Sequence, residues 1–167
     1  TYTVLVTDTH GCSKTAIFEI TEPAALVLTP NSNPSTCGNS NGSAGVSVAG
    51  GVPAYTYLWT PGSSTSAIIT SVPAGVYSVT VTDNNGCTAT SGSTVSDIAG
   101  PVISNITYTG PLCHGTPTGT ATVIPNGSTP SCSYLWSGTG AQITQTATAP
   151  AAGTDTVTAS DANHCSV

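Results

Sequence analysis

The residues of this chain with the clearest chemistry are its six cysteines, Cys12, Cys37, Cys87, Cys113, Cys132 and Cys165. In a Thr- and Gly-rich chain without methionine, that many thiols point to an oxidising compartment and to disulfides. His10, His114 and His164 each lie within two residues of a cysteine, and Cys and His are zinc ligands. No Cys-x-x-Cys spacing accompanies them, so they read as polar turn residues. Asp8-Thr9-His10-Gly11, Asp83-Asn84-Asn85-Gly86 and Asp161-Ala162-Asn163-His164 invite comparison with calcium loops. Calcium takes about six to eight oxygens, several of them carboxylate, and each of these stretches offers a single carboxylate. An Asp that closes a tight turn on backbone amides explains the same pattern. The expectation is therefore no metal and no cofactor. There is also no phosphate loop and there are no paired carboxylates in a predicted cleft, so the chain is not expected to be an enzyme.

The elements that must position these cysteines emerge from an internal repeat. Tyr57-Leu58-Trp59 returns as Tyr134-Leu135-Trp136, with Trp59 and Trp136 separated by 77 residues. In the same register Cys37 matches Cys113, Gly42-Ser43-Ala44 matches Gly119-Thr120-Ala121, Gly75 matches Gly153, Asp83 matches Asp161 and Cys87 matches Cys165. Tyr2, Asp8 and Gly11-Cys12 match Tyr77, Asp83 and Gly86-Cys87. The register predicts an internal fragment with three parts: the last two strands of a preceding repeat in 1–23, a complete repeat in 24–99, and a further repeat lacking its last strand in 101–167.

Each repeat reads as strands. Tyr77, Val79 and Val81 alternate with Ser78, Thr80 and Thr82, a period of two that marks a half-buried strand. Ala44, Val46 and Val48 alternate likewise, as do Tyr55, Tyr57 and Trp59, and Gly- and Pro-rich turn signals separate the runs. Strands are expected near 25–29, 43–49, 55–60, 66–71, 76–82 and 88–95, and essentially no helix. Trp59, Trp136, Tyr57 and Tyr134 fall on core-facing positions, and Tyr77 fits a tyrosine corner. The fold class is thus all-β: tandem immunoglobulin-like (PKD-like) β-sandwiches in a string. Among the aromatic and large apolar residues only Tyr108 and Leu58 are expected at the surface.

This architecture constrains the disulfides. The cysteine before the second strand and the one in the last hairpin turn lie at opposite ends of a sandwich, roughly 20–27 Å apart for strands of this length. A disulfide needs Cα atoms about 5.5 Å apart. Head-to-tail stacking instead brings Cys37 of one repeat to Cys165 of the next. Pairing within a repeat (Cys37–Cys87, Cys113–Cys165) and free or intermolecular thiols stay open, and Cys132 competes for Cys165.

Taken together, Cys37, Asn41-Gly42-Ser43-Ala44, Gly50-Gly51-Val52-Pro53-Ala54-Tyr55-Thr56-Tyr57-Leu58-Trp59, Ala74-Gly75-Val76-Tyr77-Ser78-Val79-Thr80-Val81-Thr82-Asp83 and Asn85-Gly86-Cys87 resemble the SprB-type repeat of large surface adhesins of gliding bacteria. The likeness runs along the whole chain. It implies export by the type IX route, an extracellular cell-surface location, and a part in adhesion, gliding or surface attachment. The third repeat departs from the pattern: Asp155 stands in place of Tyr77, Cys132 in place of Tyr55, and His164 in place of Gly86.

Lys14 is the only basic residue of the Lys and Arg class against seven acids, for a net charge of -6. Nucleic acid and anionic membrane surfaces are poor partners for such a chain. No apolar run of about 18 residues predicts a spanning helix. The function expected is a stalk or spacer in a long secreted adhesive fibre. Its partners would be neighbouring repeats, further copies in a homo-oligomeric filament, and a surface polysaccharide at a distal tip. A carbohydrate-binding, lectin-like module is the alternative.

Overall fold

The computed structural model describes residues 1–110, 118–126, 131–138, 140–150 and 153–167, and among them there is no helix. The chain opens with a hairpin, β1 (Tyr2–Thr7) and β2 (Ser13–Phe18), in which Tyr2 pairs with Phe18 and Thr7 with Ser13. The Tyr2 and Phe18 rings stack with centroids 5.5 Å apart.

Next come β3 (Val27–Asn33), β4 (Ser35–Thr36), β5 (Gly42–Ala49), β6 (Thr56–Thr60), β7 (Ile68–Val72), β8 (Gly75–Thr82), β9 (Thr88–Val95) and β10 (Asp97–Ile98). Two antiparallel three-stranded sheets, β3-β5-β7 and β6-β8-β9, face one another. Their inward residues make one core. Ala44 and Val46 on β5 and Ile69 on β7 meet Trp59, Tyr77, Val79, Val81 and Val95 from the other sheet. The period of two is realised on β8, where Tyr77, Val79 and Val81 are buried and the residues between them are half-exposed. Trp59 is fully buried and donates its indole N–H to the Ser66 carbonyl at 2.8 Å. Tyr77 is buried and its hydroxyl donates to the Pro73 carbonyl at 2.9 Å, the tyrosine-corner arrangement. Tyr57 is half-buried against the same core.

The remaining strands are β11 (Val102–Thr109), β12 (Thr120–Asn126), β13 (Ser133–Trp136), β14 (Thr146–Thr148) and β15 (Val157–Ser160). They form the sheets β11-β12-β14 and β13-β15. The cross-strand register repeats: Ser32 pairs with Ala44 in the first sandwich and Tyr108 with Ala121 in the second. Among the described residues the second core has Val123, Trp136 and Ala147 buried, with Ile103, Ala121, Tyr134 and Val157 packed against them. Trp136 makes the counterpart indole bond, to the Thr144 carbonyl at 3.0 Å.

Three differences from the sequence reading have physical causes. The first strand of the 24–99 unit was expected to stop at 29, yet it runs to Asn33 through Pro30. It lies at the edge of its sheet, where a residue without an N–H is tolerated. The two-residue ladder of β4 with β10 is parallel, and it is too short to leave a periodic signature. More apolar surface is exposed than expected. Tyr2, Leu5, Val6, Ile17, Phe18 and Ile20 all lie open, and no second sheet among the described residues covers the β1–β2 hairpin.

Candidate functional site

The Asp-led turns are one device used three times. Asp8 Oδ1 accepts from the backbone N–H of His10 at 2.8 Å and of Cys12 at 2.9 Å. Asp83 Oδ1 does the same with Asn85 at 2.9 Å and Cys87 at 2.8 Å, and Asp161 Oδ1 with Asn163 and Cys165, both at 2.9 Å. The fourth residue of each turn has a left-handed φ: +84° at Gly11, +83° at Gly86 and +62° at His164. The carboxylates are thus taken up by backbone amides. Asp83 Oδ2 also accepts the Val52 N–H at 2.9 Å. That bond, with those from Cys87 and Asn85, holds the Asp83 carboxyl below its ordinary value near 3.8, against the opposing effect of burial. The counterpart oxygen, Asp161 Oδ2, is buried with no partner among the described residues.

The turn places its cysteine at the tip of the sandwich. A second device presents the cysteine at the other end. The Ser35 N–H donates to the Ser96 carbonyl at 2.8 Å, and the Cys37 N–H to the Ile98 carbonyl at 3.0 Å. The Asp97 carboxylate accepts the Ser35 hydroxyl at 2.9 Å and the Gly38 N–H at 3.1 Å. Cys37 and Gly38 then turn with φ of +59° and +68°. This clamp pins the β3–β5 connection to the segment that leads out of the first sandwich into the second.

Across that junction Cys37 and Cys165 form a disulfide with Cα atoms 5.2 Å apart. Cys165 is buried, and a Cβ on Gly100 would lie 2.6 Å from its Cβ, so only glycine lets the connecting segment pass there. Of the other cysteines, Cys12 and Cys87 are free and exposed, and Cys132 is free and half-buried. Burial, and then the neighbouring Cys132 thiolate, push the Tyr134 phenol upward. Cys113 and His114 lie outside the described residues. No group of three or more His, Cys, Asp or Glu that could hold a metal ion occurs among the described residues. No helix long and apolar enough to cross a membrane occurs among the described residues.

The clamp residues Ser35 and Asp97 were not singled out in the sequence. The available signal was that Asp97 is the one acid of 24–99 outside the repeated Asp turn, standing just before Ala99-Gly100-Pro101.

An all-β chain with a two-sheet sandwich and a covalently bridged junction is the class these features define. Residues 29–64 match the SprB repeat family, and the chain carries a SprB-type repeat there. The matched span takes in β4, β5 and β6, including Cys37, Gly50-Gly51 and Trp59, and stops before β8 and its Asp turn. SprB repeats occur in surface adhesins. No curated protein matches the chain.

Proposed function

We propose that this chain is a non-catalytic spacer of an extracellular, cell-surface adhesive fibre, built from tandem immunoglobulin-like sandwiches whose junctions are covalently locked. The observation that carries the reading is the Cys37–Cys165 bridge. It joins the loop at one end of the first sandwich to the hairpin turn at the near end of the second. A disulfide there fixes how successive units follow one another, which a stalk requires. Further support comes from the Asp97 clamp, which braces the same loop against the connecting segment. The nearly uncharged Ser/Thr surface opposes side-by-side packing only weakly, so a homo-oligomeric filament belongs to the same reading.

One observation favours the lectin-like alternative. The exposed Tyr108 lies beside Trp136 and Asp155 in a cleft of the second sandwich. A glycan array probed with the whole chain separates the two readings. The spacer reading expects broad silence. Saturable binding to a polysaccharide, lost in Tyr108→Ala, would overturn it.

A further inference from the structure

The chain holds three Asn-Gly pairs, Asn41-Gly42, Asn85-Gly86 and Asn126-Gly127. In such a pair the backbone nitrogen of the glycine can attack the asparagine side-chain amide, because no side chain on the glycine shields it. Gly127 lies outside the described residues. The fold treats the other two pairs in opposite ways. Asn41 is held at both atoms of its amide: Oδ1 accepts the Thr36 N–H and Nδ2 donates to the Thr36 hydroxyl, both at 2.8 Å. Gly42 is buried at the start of β5, pairs with Val72, and has Val95 Cγ1 2.6 Å from where a Cβ would stand. For the Gly42 nitrogen to reach Asn41 Cγ, Thr36 must be released and the end of β5 pulled from the core.

Asn85-Gly86 sits in the turn between β8 and β9. Asn85 is exposed, and its side-chain amide makes no hydrogen bond among the described residues. Gly86 is exposed too, with nothing within 4 Å of its would-be Cβ. One bond must yield, from the Gly86 N–H to the Asp83 carbonyl at 3.0 Å. Exposed turns open at little cost in free energy, whereas strands packed on a core open at nearly the global one. The counterpart turn gives an internal comparison. Asp161 Oδ1 accepts from Asn163 and Cys165 as Asp83 Oδ1 does from Asn85 and Cys87, and the His164 N–H likewise donates to the Asp161 carbonyl at 3.0 Å. There His164 replaces Gly86, and its side chain shields the nitrogen. That turn is bridged to the neighbouring sandwich, yet Ala162 and His164 stay exposed, so a tip in that position is still open to water.

We propose that Asn85 is a site of spontaneous covalent modification. The Gly86 nitrogen attacks Asn85 Cγ and gives up its proton, the side-chain nitrogen leaves as ammonia, and a cyclic imide closes. Water then opens the ring at either carbonyl. One opening gives aspartate, and the other gives isoaspartate, in which the main chain runs through the former side chain. Water is the only co-reactant. Isoaspartate adds a methylene to the main chain, and the Asp83 carboxylate no longer spans the amides of residues 85 and 87, which it holds at 2.9 and 2.8 Å. The tip that presents Cys87 therefore loosens with age. Aspartate keeps the chain length and the turn. The inference stands on the turn geometry alone and does not depend on the spacer reading.

The test incubates the whole 167-residue chain at mildly alkaline pH and follows each asparagine by mass after digestion, with isoaspartate read by enzymatic methyl labelling. In the folded chain Asn85 should convert at least about tenfold faster than Asn41 or Asn163. In urea Asn41 should draw level with Asn85, because both precede glycine, while Asn163 stays slow. Gly86→Ala should slow Asn85 in urea as well as in buffer, so the result does not hinge on how well that variant folds. The separated isoaspartate form should melt earlier than Asn85→Asp. An unchanged Asn85 in the folded chain, Asn41 keeping pace with it there, Asn41 lagging in urea, or an isoaspartate form that melts with Asn85→Asp would each overturn the proposal.

Discussion

Asp83 Oδ2 accepts the Val52 N–H at 2.9 Å, tying the β8–β9 turn to the loop between β5 and β6. This bond is the first cause of the lowered Asp83 carboxyl, and it makes the tip of the first sandwich sensitive to acid. A carboxyl whose folded value lies below its unfolded one stabilises the fold above the unfolded value, and the contribution is lost as pH falls through the folded one. The melting temperature of the chain should therefore fall as pH drops below about 4. Asp83→Asn should melt earlier at neutral pH and show a shallower acid slope. A thermal series over pH checks both, and an unchanged slope in the variant counts against the assignment.

Trp59 fills the middle of the first core. Trp59→Ala should cost about 3–5 kcal/mol in a urea titration and remove the 24–99 transition. Trp136→Ala should affect the second core and leave the first transition in place.

The Tyr77 hydroxyl makes one bond, to Pro73. Tyr77→Phe keeps the ring and should cost about 0.5–1.5 kcal/mol, read as a shift in the urea midpoint at unchanged slope. A larger loss would mean that the hydroxyl does more than close the corner.

Two glycines with similar backbone angles should behave differently. Gly50 has φ of +72°, and a Cβ there would run into the Ala25 carbonyl. Gly86 has φ of +83° with nothing within 4 Å of its would-be Cβ. Gly86→Ala should cost about 1–2 kcal/mol, since only the left-handed angle is strained, and His164 adopts a similar angle in the counterpart turn. Gly50→Ala should cost clearly more, because backbone must move. Equal losses in the two variants would show that the overlap relaxes freely.

What the sequence made legible follows its periodicities. Val76–Thr82 alternates, and β8 buries the residues that alternation selects. The repeat spacing located Trp59 and Trp136, which sit in the two cores. Strand length and head-to-tail order made Cys37–Cys165 one of the pairings the sequence left open, beside pairing within a repeat and free thiols, and the structure bridges that pair. The Asp97 clamp was not legible, because a two-residue ladder has no period and Ser35 and Asp97 lie 62 positions apart. The open apolar face of β1 and β2 was missed because alternation marks a face that can be buried, whether or not a second sheet is there to bury it.

In the proposed spacer, pull along the chain is carried by the bridge between sandwiches. Single-molecule pulling from the two termini tests it directly. Cys37 and Cys165 are separated by 128 positions, so the bridge shields the residues between them from extension. With the disulfide intact, only the outer segments should lengthen. After reduction, unfolding should release about 420–460 Å more, at about 3.3–3.6 Å per extended residue. The same total extension with and without reductant would contradict the account.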